Sequence, residues 1–266
     1  MSKEIDKEGH PKSSNSTMLY LNLMKRSLTN TLFEVEPDPD EDNELRYVNG
    51  FVRHYIRGTA ISMLPSARFD NVWKCISEVV SQNIPGDLIE TGVWRGGCTI
   101  FMRAALEAFG SRDRLVWVAD SFEGLPEPDA QRFPLEAKVH HGSVMKNVYG
   151  HFAVSLDDVK RNFDAYGLLD DRVRFLKGWF KDTLPQAPIK NLAIMRLDGD
   201  YYESTMDGLN SLYDKLSVGG FAIVDDYGED TWTYCRRAVD EFRDKRSITD
   251  ELIRVDSKCY YWQKGR

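Results

Sequence analysis

Residues 87–110 read DLIETGVWRGGCTIFMRAALEAFG. The first five are a short apolar run closing on Glu90-Thr91, the length and composition of a buried strand. Gly92, Gly96 and Gly97 then punctuate a turn, and the apolar-rich residues 98–110 predict a helix stopped at Gly110. This is a strand, a glycine turn and a helix in 24 residues: one βα unit.

The unit recurs downstream. RLVWVAD (114–120), RVRFLKG (172–178), LAIMRLD (192–198) and FAIVDD (221–226) are further strand patterns. Helices are expected at 155–168, with Ser155 as N-cap, at 204–220, with Gly219 near its stop, and at 235–246. Residues 123–152 read as a long polar loop. The chain closes with LIRVD (252–256) and CYYWQK (259–264), separated by too little chain for a parallel crossover, so one of them should run antiparallel. The expectation is a doubly wound, Rossmann-like α/β domain. Its seven-stranded sheet is mostly parallel, with helices on both faces and an antiparallel C-terminal strand.

Upstream, Phe69, Val72, Trp73, Ile76 and Val79 share one face of a helix over 69–82. Leu21, Met24, Leu28 and Leu32 do the same over 18–33. Between them the acidic, Pro-punctuated EVEPDPDEDNELR reads as a linker or a substrate lid. Residues 1–17 are polar and aperiodic, a disordered tail. The expected division is a tail (1–17), a helical and acidic cover (18–68) and a catalytic domain (69–266).

Composition narrows the function classes. The chain has 266 residues, 42% of them hydrophobic, and a net charge of −7, with no basic stripe to seek nucleic acid or an anionic membrane. No apolar run approaches the ~18 residues of a transmembrane helix. Cys75, Cys98, Cys235 and Cys259 lack C-x-x-C spacing and read as reduced thiols, and the polar start lacks a secretory apolar segment. A cytoplasmic protein is expected.

In doubly wound sheets ligands bind at the carboxyl ends of the strands, and this chain places its acids there. Glu90 closes the first strand, Asp120 the second, Asp198 the fourth, and Asp225-Asp226 the fifth, with Asp200 two residues beyond Asp198. The glycine spacing is not G-x-G-x-x-G, so the dinucleotide fingerprint fails. Glu90 would repel a pyrophosphate but suit a cationic amino group, and Asp120 could take two ribose hydroxyls. Gly178 and Trp179 fall where an adenine would lie, although Trp179 could equally fill the core. Asp198, Asp225 and Asp226 are a donor set for Mg²⁺, and Asp200 a candidate general base. The same acids could merely cap turns, but clustered carboxylates resist joint ionisation, which favours a cation. His140 and His141 in VHHGS are competing bases or plain loop histidines.

The motifs LIETGVWRGG, VADSFEGLP, LKGWFKDTLP, RLDGDYYESTMDGL and GGFAIVDDYG resemble the macrocin O-methyltransferase (TylF/MycF/NovP-like) family, from about Leu19 to Trp262. The resemblance implies a Mg²⁺-dependent enzyme that methylates deoxysugar hydroxyls of glycosylated natural products from S-adenosyl-L-methionine. It implies metal ligands Asp198, Asp225 and Asp226 and a base at Asp200. The methyl donor would be held by Glu90, Gly92, Val93, Trp94, Gly96, Asp120 and Ser121, with Gly178 and Trp179 by its adenine and Thr59 and Met63 near its methionine end. It also implies that the N-terminal region covers the substrate and contributes to a homo-oligomer. Two rival enzymes share some of these features: a catechol-type O-methyltransferase, and a metal-dependent glycosyltransferase whose acid-x-acid motif would precede a nucleotide sugar. An α/β binding protein without chemistry is the non-enzymatic alternative.

Overall fold

The computed structural model describes residues 15–32, 58–142, 150–228 and 233–265. Two helices, α1 (Asn15–Leu28) and α2 (Ser66–Ser81), precede the sheet. Then follow β1 (Asp87–Thr91), α3 (Gly97–Ala108), β2 (Val116–Asp120), α4 (Pro134–His140), α5 (Leu156–Ala165) and β3 (Val173–Lys177). The second half comprises α6 (Phe180–Thr183), β4 (Leu192–Leu197), α7 (Tyr202–Leu212), β5 (Leu216–Val224), α8 (Thr233–Lys245), β6 (Ile253–Arg254) and β7 (Tyr260–Gln263).

Seven strands lie in the order β3-β2-β1-β4-β5-β7-β6. The first five pair in parallel, and β7 runs antiparallel to both β5 and β6. β4 is buried along its whole length and β1 along nearly all of it, as strands covered on both faces must be. One face carries Leu21, Phe69, Ile76, Phe101 and Phe163 from α1, α2, α3 and α5. The other carries Leu209, Leu212, Val239 and Phe242 from α7 and α8, packed with Trp117 and Trp262 of the sheet. Chain order reverses between β1 and β4, so their outgoing turns diverge and open a crevice.

Four boundaries differ from the sequence expectation. α1 starts at Asn15, inside the expected tail; residues 1–14 and the acidic segment 34–46 lie outside the described residues. The expected loop 123–152 contains α4, opened by Pro134 at its first turn, where a missing N–H costs nothing. The helix expected over 204–220 stops at Leu212. A 3₁₀ turn, Tyr213–Lys215, intervenes, and β5 already begins at Leu216. Gly219, with φ +83°, is therefore a kink within the strand, not a helix stop. β6 is two residues long instead of five. No helix among the described residues is long and apolar enough to cross a membrane.

Candidate active site

At the carboxyl edge the backbone ladder continues one step beyond the strands. Gly178 N–H donates to Asp120 O, Gly92 to Ala119 O, Asp198 to Thr91 O and Asp225 to Leu197 O, each at 2.9 Å. These four bonds join the carboxyl ends of five strands side by side. The strain is concentrated there too. Of the seven described non-glycine residues with positive φ, four lie in the turns beyond these ends: Trp94, Phe122, Asp200 and Asp226. Left-handed backbone at such residues is costly and persists only where the surroundings enforce it. Gly92 shows the enforcement. At φ +83° it passes so close to the β4 turn that a Cβ would stand 1.8 Å from the carbonyl oxygen of Asp198.

Asp198, Asp200 and Asp226 each bring a carboxylate oxygen into one group whose members lie within 4.8 Å of one another. Burial and neighbouring carboxylates push Asp198 up to about 6 and Asp200 up to about 8, and hold Asp226 well above the ordinary range. Asp225 is not in this group. Its Oδ2 lies 2.6 Å from Arg68 Nη1 and 2.7 Å from Arg196 Nη2, while its buried Oδ1 has no nitrogen or oxygen donor among the described residues. The sequence grouped Asp198, Asp225 and Asp226; the structure joins Asp200 to the first and last and sets Asp225 against two arginines.

Arg196 is fully buried on β4, at 1% exposure. Its Nη1 lies 2.5 Å from Glu90 Oε1 and 2.9 Å from Asp198 Oδ2, so one guanidinium holds three carboxylates. Arg68, in the first turn of α2, clamps Asp225 and also Asp256, 2.7 Å from its Nε. Neither arginine was singled out in the sequence. Arg196 had a signal, a lone cation inside the apolar LAIMRLD, but Arg68 meets Asp225 from 157 residues away and had none. Glu90 is only 2% exposed and faces Arg196 and the Cys98 thiol; burial raises its pKa to about 7 against the pull of Arg196.

Asp120 ties the turns after β1 and β2 together. Its carboxylate accepts the Val93 amide at 2.8 Å, the Phe122 amide at 2.7 Å and a bond from Trp94 N–H. Ser121 Oγ donates to Gly124 O at 2.7 Å. Beside them opens a cavity of about 570 Å³, bordered by Gly92, Asp120, Ser121, Trp179 and Asp198 of the expected residues. Glu127, Arg132, Tyr202, Glu203 and Met206 line its other walls. Such a volume suits a small-molecule site at a switch point. Thr59, Met63, Glu90, Val93, Trp94, Gly96, Gly178, Asp200, Asp225 and Asp226 lie outside this lining. Arg95 holds the Thr59 segment against the first turn through Gly58 O and Ala60 O.

α4, absent from the sequence reading, supplies Glu136. This buried acid accepts the Tyr202 amide at 2.8 Å and so caps the N-terminus of α7 directly behind Asp200. The histidines of VHHGS close the same helix, His140 Nδ1 lying 2.7 Å from Tyr201 Oη.

The comparisons with known proteins point to one family. A family model described as Macrocin-O-methyltransferase (TylF) matches residues 53–264. Demethyldecarbamoylnovobiocin O-methyltransferase of Streptomyces niveus is 46% identical over 266 residues, 96% of this chain and 97% of that one. 8-Demethyl-8-(2,3-dimethoxy-alpha-L-rhamnosyl)-tetracenomycin-C 4'-O-methyltransferase of Streptomyces olivaceus is 46% identical over 255 residues, 92% of each chain. The solved structure of the O-methyltransferase NovP superposes with a TM-score of 0.80 at 46% identity, covering 94% of this chain and all of that one. With seven strands in this order and a match over most of its length, the chain belongs to the macrocin O-methyltransferase (TylF) family and is an S-adenosylmethionine-dependent O-methyltransferase.

Proposed function

We propose that the enzyme methylates a sugar hydroxyl of a glycosylated natural product and uses Mg²⁺ to do so. Support for the acceptor class comes from the relatives, one of which is named for a rhamnosyl group methylated at its 4' position. The observation that carries the metal is the convergence of Asp198, Asp200 and Asp226 beside the cavity. Three carboxylates with raised proton affinity, Asp226 buried and Asp198 and Asp200 half-buried, form an oxygen donor set that a hard divalent cation relieves.

The arginines divide the acids by role. Asp198 touches Arg196, whose charge favours its ionised form and fits it to hold a cation; Asp225 lies against Arg196 and Arg68, and its Oδ1, with no nitrogen or oxygen donor among the described residues, is the atom it would offer. Asp226 stands with Asp198 in the converging group and completes that set. Burial, with Asp198 and Asp225 beside it, gives Asp200 a greater proton affinity than Asp198, and no arginine among the described residues lies against it; it is the residue to accept the acceptor's hydroxyl proton. Asp120, Ser121, Gly92 and Trp179 border the space for the methyl donor, and Glu90 stands behind the first turn. When bound, S-adenosylmethionine supplies the electrophilic methyl group and Mg²⁺ the Lewis acidity that lowers the pKa of a hydroxyl. The chain itself positions the acceptor, excludes water and takes the proton.

The test is transfer of a labelled methyl group to a panel of glycosides and their sugar-free aglycones, with Mg²⁺ or with EDTA. Product on glycosides alone, lost in EDTA, is expected; methylation of the aglycones overturns the acceptor class. We further propose a cytoplasmic enzyme, in keeping with four unpaired, buried cysteines. A homo-oligomer is proposed too. α1 turns Leu21, Met24 and Leu28 inward but leaves Met18, Leu19 and Leu23 exposed. Light scattering on the purified chain measures its mass.

A further inference from the structure

Outside the aspartate cluster, a second set of ligand-type side chains meets at the rim of the cavity. Glu127 lies in the loop after β2 and lines the cavity; His140 is the last residue of α4 and His141 follows it. Both imidazoles turn toward the one carboxylate. His141 Nε2 stands 2.8 Å from Glu127 Oε1, and His140 Nε2 stands 3.5 Å from Oε2. The ligand atoms of all three lie within 4.8 Å of one another. In a tetrahedral site with metal–ligand bonds of about 2.1 Å, ligand atoms are roughly 3.4 Å apart. The two observed separations, to different oxygens of the one carboxylate, lie near that edge length, so small side-chain rotations would let a cation sit among the three groups.

We propose that Glu127, His140 and His141 form a second cation site, chemically distinct from the aspartate cluster and suited to a borderline transition ion such as Zn²⁺. Two imidazoles and one carboxylate are the donor set that such ions favour, and it leaves a fourth position open to water or an oxygen ligand. The aspartates, all oxygen, suit Mg²⁺ instead. Support from behind the ligands is already built. His140 Nδ1 lies 2.7 Å from Tyr201 Oη, and Tyr201 is 2% exposed. A proton on Nδ1, donated to that hydroxyl, leaves Nε2 as the metal-binding nitrogen, which is how an outer partner fixes the tautomer of a ligating histidine. A bound ion would join the loop after β2 to the end of α4 across the rim.

Cobalt distinguishes the two sites without reference to activity, because nitrogen-ligated, near-tetrahedral Co²⁺ absorbs far more strongly in the visible than Co²⁺ among oxygens. The tag-free protein, saturated with Mg²⁺, is titrated with Co²⁺ and then with Zn²⁺ as competitor. Wild type and Asp198→Asn are expected to give the same strong band, abolished by Zn²⁺. His141→Ala, at a side chain 61% exposed, folds normally and loses the band. Tyr201→Phe keeps it, with affinity lowered about 10–100-fold, as expected of an outer partner. No strong band in the wild type, or a band that survives in His141→Ala, overturns the proposal.

Discussion

Arg196 Nη1 lies 2.5 Å from Glu90 Oε1, joining the end of β4 to the end of β1 beneath the crevice. Because the same nitrogen reaches Asp198 at 2.9 Å, the charge state of the first turn is coupled to that of the acid cluster. Replacing Arg196 by Met leaves the buried Glu90 and Asp225 and the half-buried Asp198 without their shared counter-charge. Removing one partner of a buried pair costs about 3–5 kcal/mol. Urea unfolding should show a loss of at least that order, and Arg196→Lys should recover only part of it, since an ammonium lacks the fork that spans three carboxylates.

The division proposed between Asp198 and Asp200 is tested by separating cation binding from turnover. Asp198→Asn should abolish both the Mg²⁺-dependent rise in melting temperature and the activity. Asp200→Asn should keep the thermal response and lose about 10²–10⁴-fold in kcat, the range for a missing general base. Retention of full activity in Asp200→Asn would remove it from the mechanism.

Gly92 sets how closely the first turn approaches Asp198. Gly92→Ala must adopt φ near +83° and clear a carbonyl oxygen 1.8 Å from the new Cβ. The left-handed backbone alone costs about 1–2 kcal/mol, and the clash forces the β1 and β4 turns apart. The expected outcome is lower stability together with an S-adenosylhomocysteine affinity reduced at least about tenfold by calorimetry. Gly110→Ala, equally left-handed but in open space, serves as the control: it should lose stability and leave affinity intact.

The strands, the glycine turn and the row of acids at the sheet edge were legible because each is local. Alternation of apolar runs and amphipathic segments gives the parallel pairing; Asp120 ends its strand, and Asp198 and Asp225 each follow theirs by one residue. What was not legible comes from contacts between distant residues. The Arg68–Asp225 pair bridges α2 and the β5 turn, so nothing near Asp225 announces that one of its oxygens is taken. α4 spans seven residues and buries only Glu136 and Ala137, too short a pattern to display a helical period. At residues 212–216 the opposite error arises. Leu212 and Leu216 keep a four-residue spacing, yet a 3₁₀ turn lies between them and Leu216 already belongs to the sheet.

Glu136 offers a pH test that does not depend on the acid cluster's ligands. Burial raises its pKa from 4.5 to about 7, the Tyr202 amide opposing and Glu203 adding to the rise. The unfolded chain releases this proton near pH 4.5, while the folded chain holds it until about pH 7. Across that window the folded state binds more protons, so the group's contribution to stability is present below pH 4.5 and falls as pH rises. The effect over that window is on the order of 1–3 kcal/mol. Glu136→Gln keeps an acceptor for the Tyr202 amide but cannot ionise. Chemical denaturation at pH 5 and pH 7.5 should therefore show the wild type losing stability relative to Glu136→Gln at the higher pH. Parallel curves for the two proteins would show that Glu136 already ionises in the fold, and that the cap on α7 is a charged one.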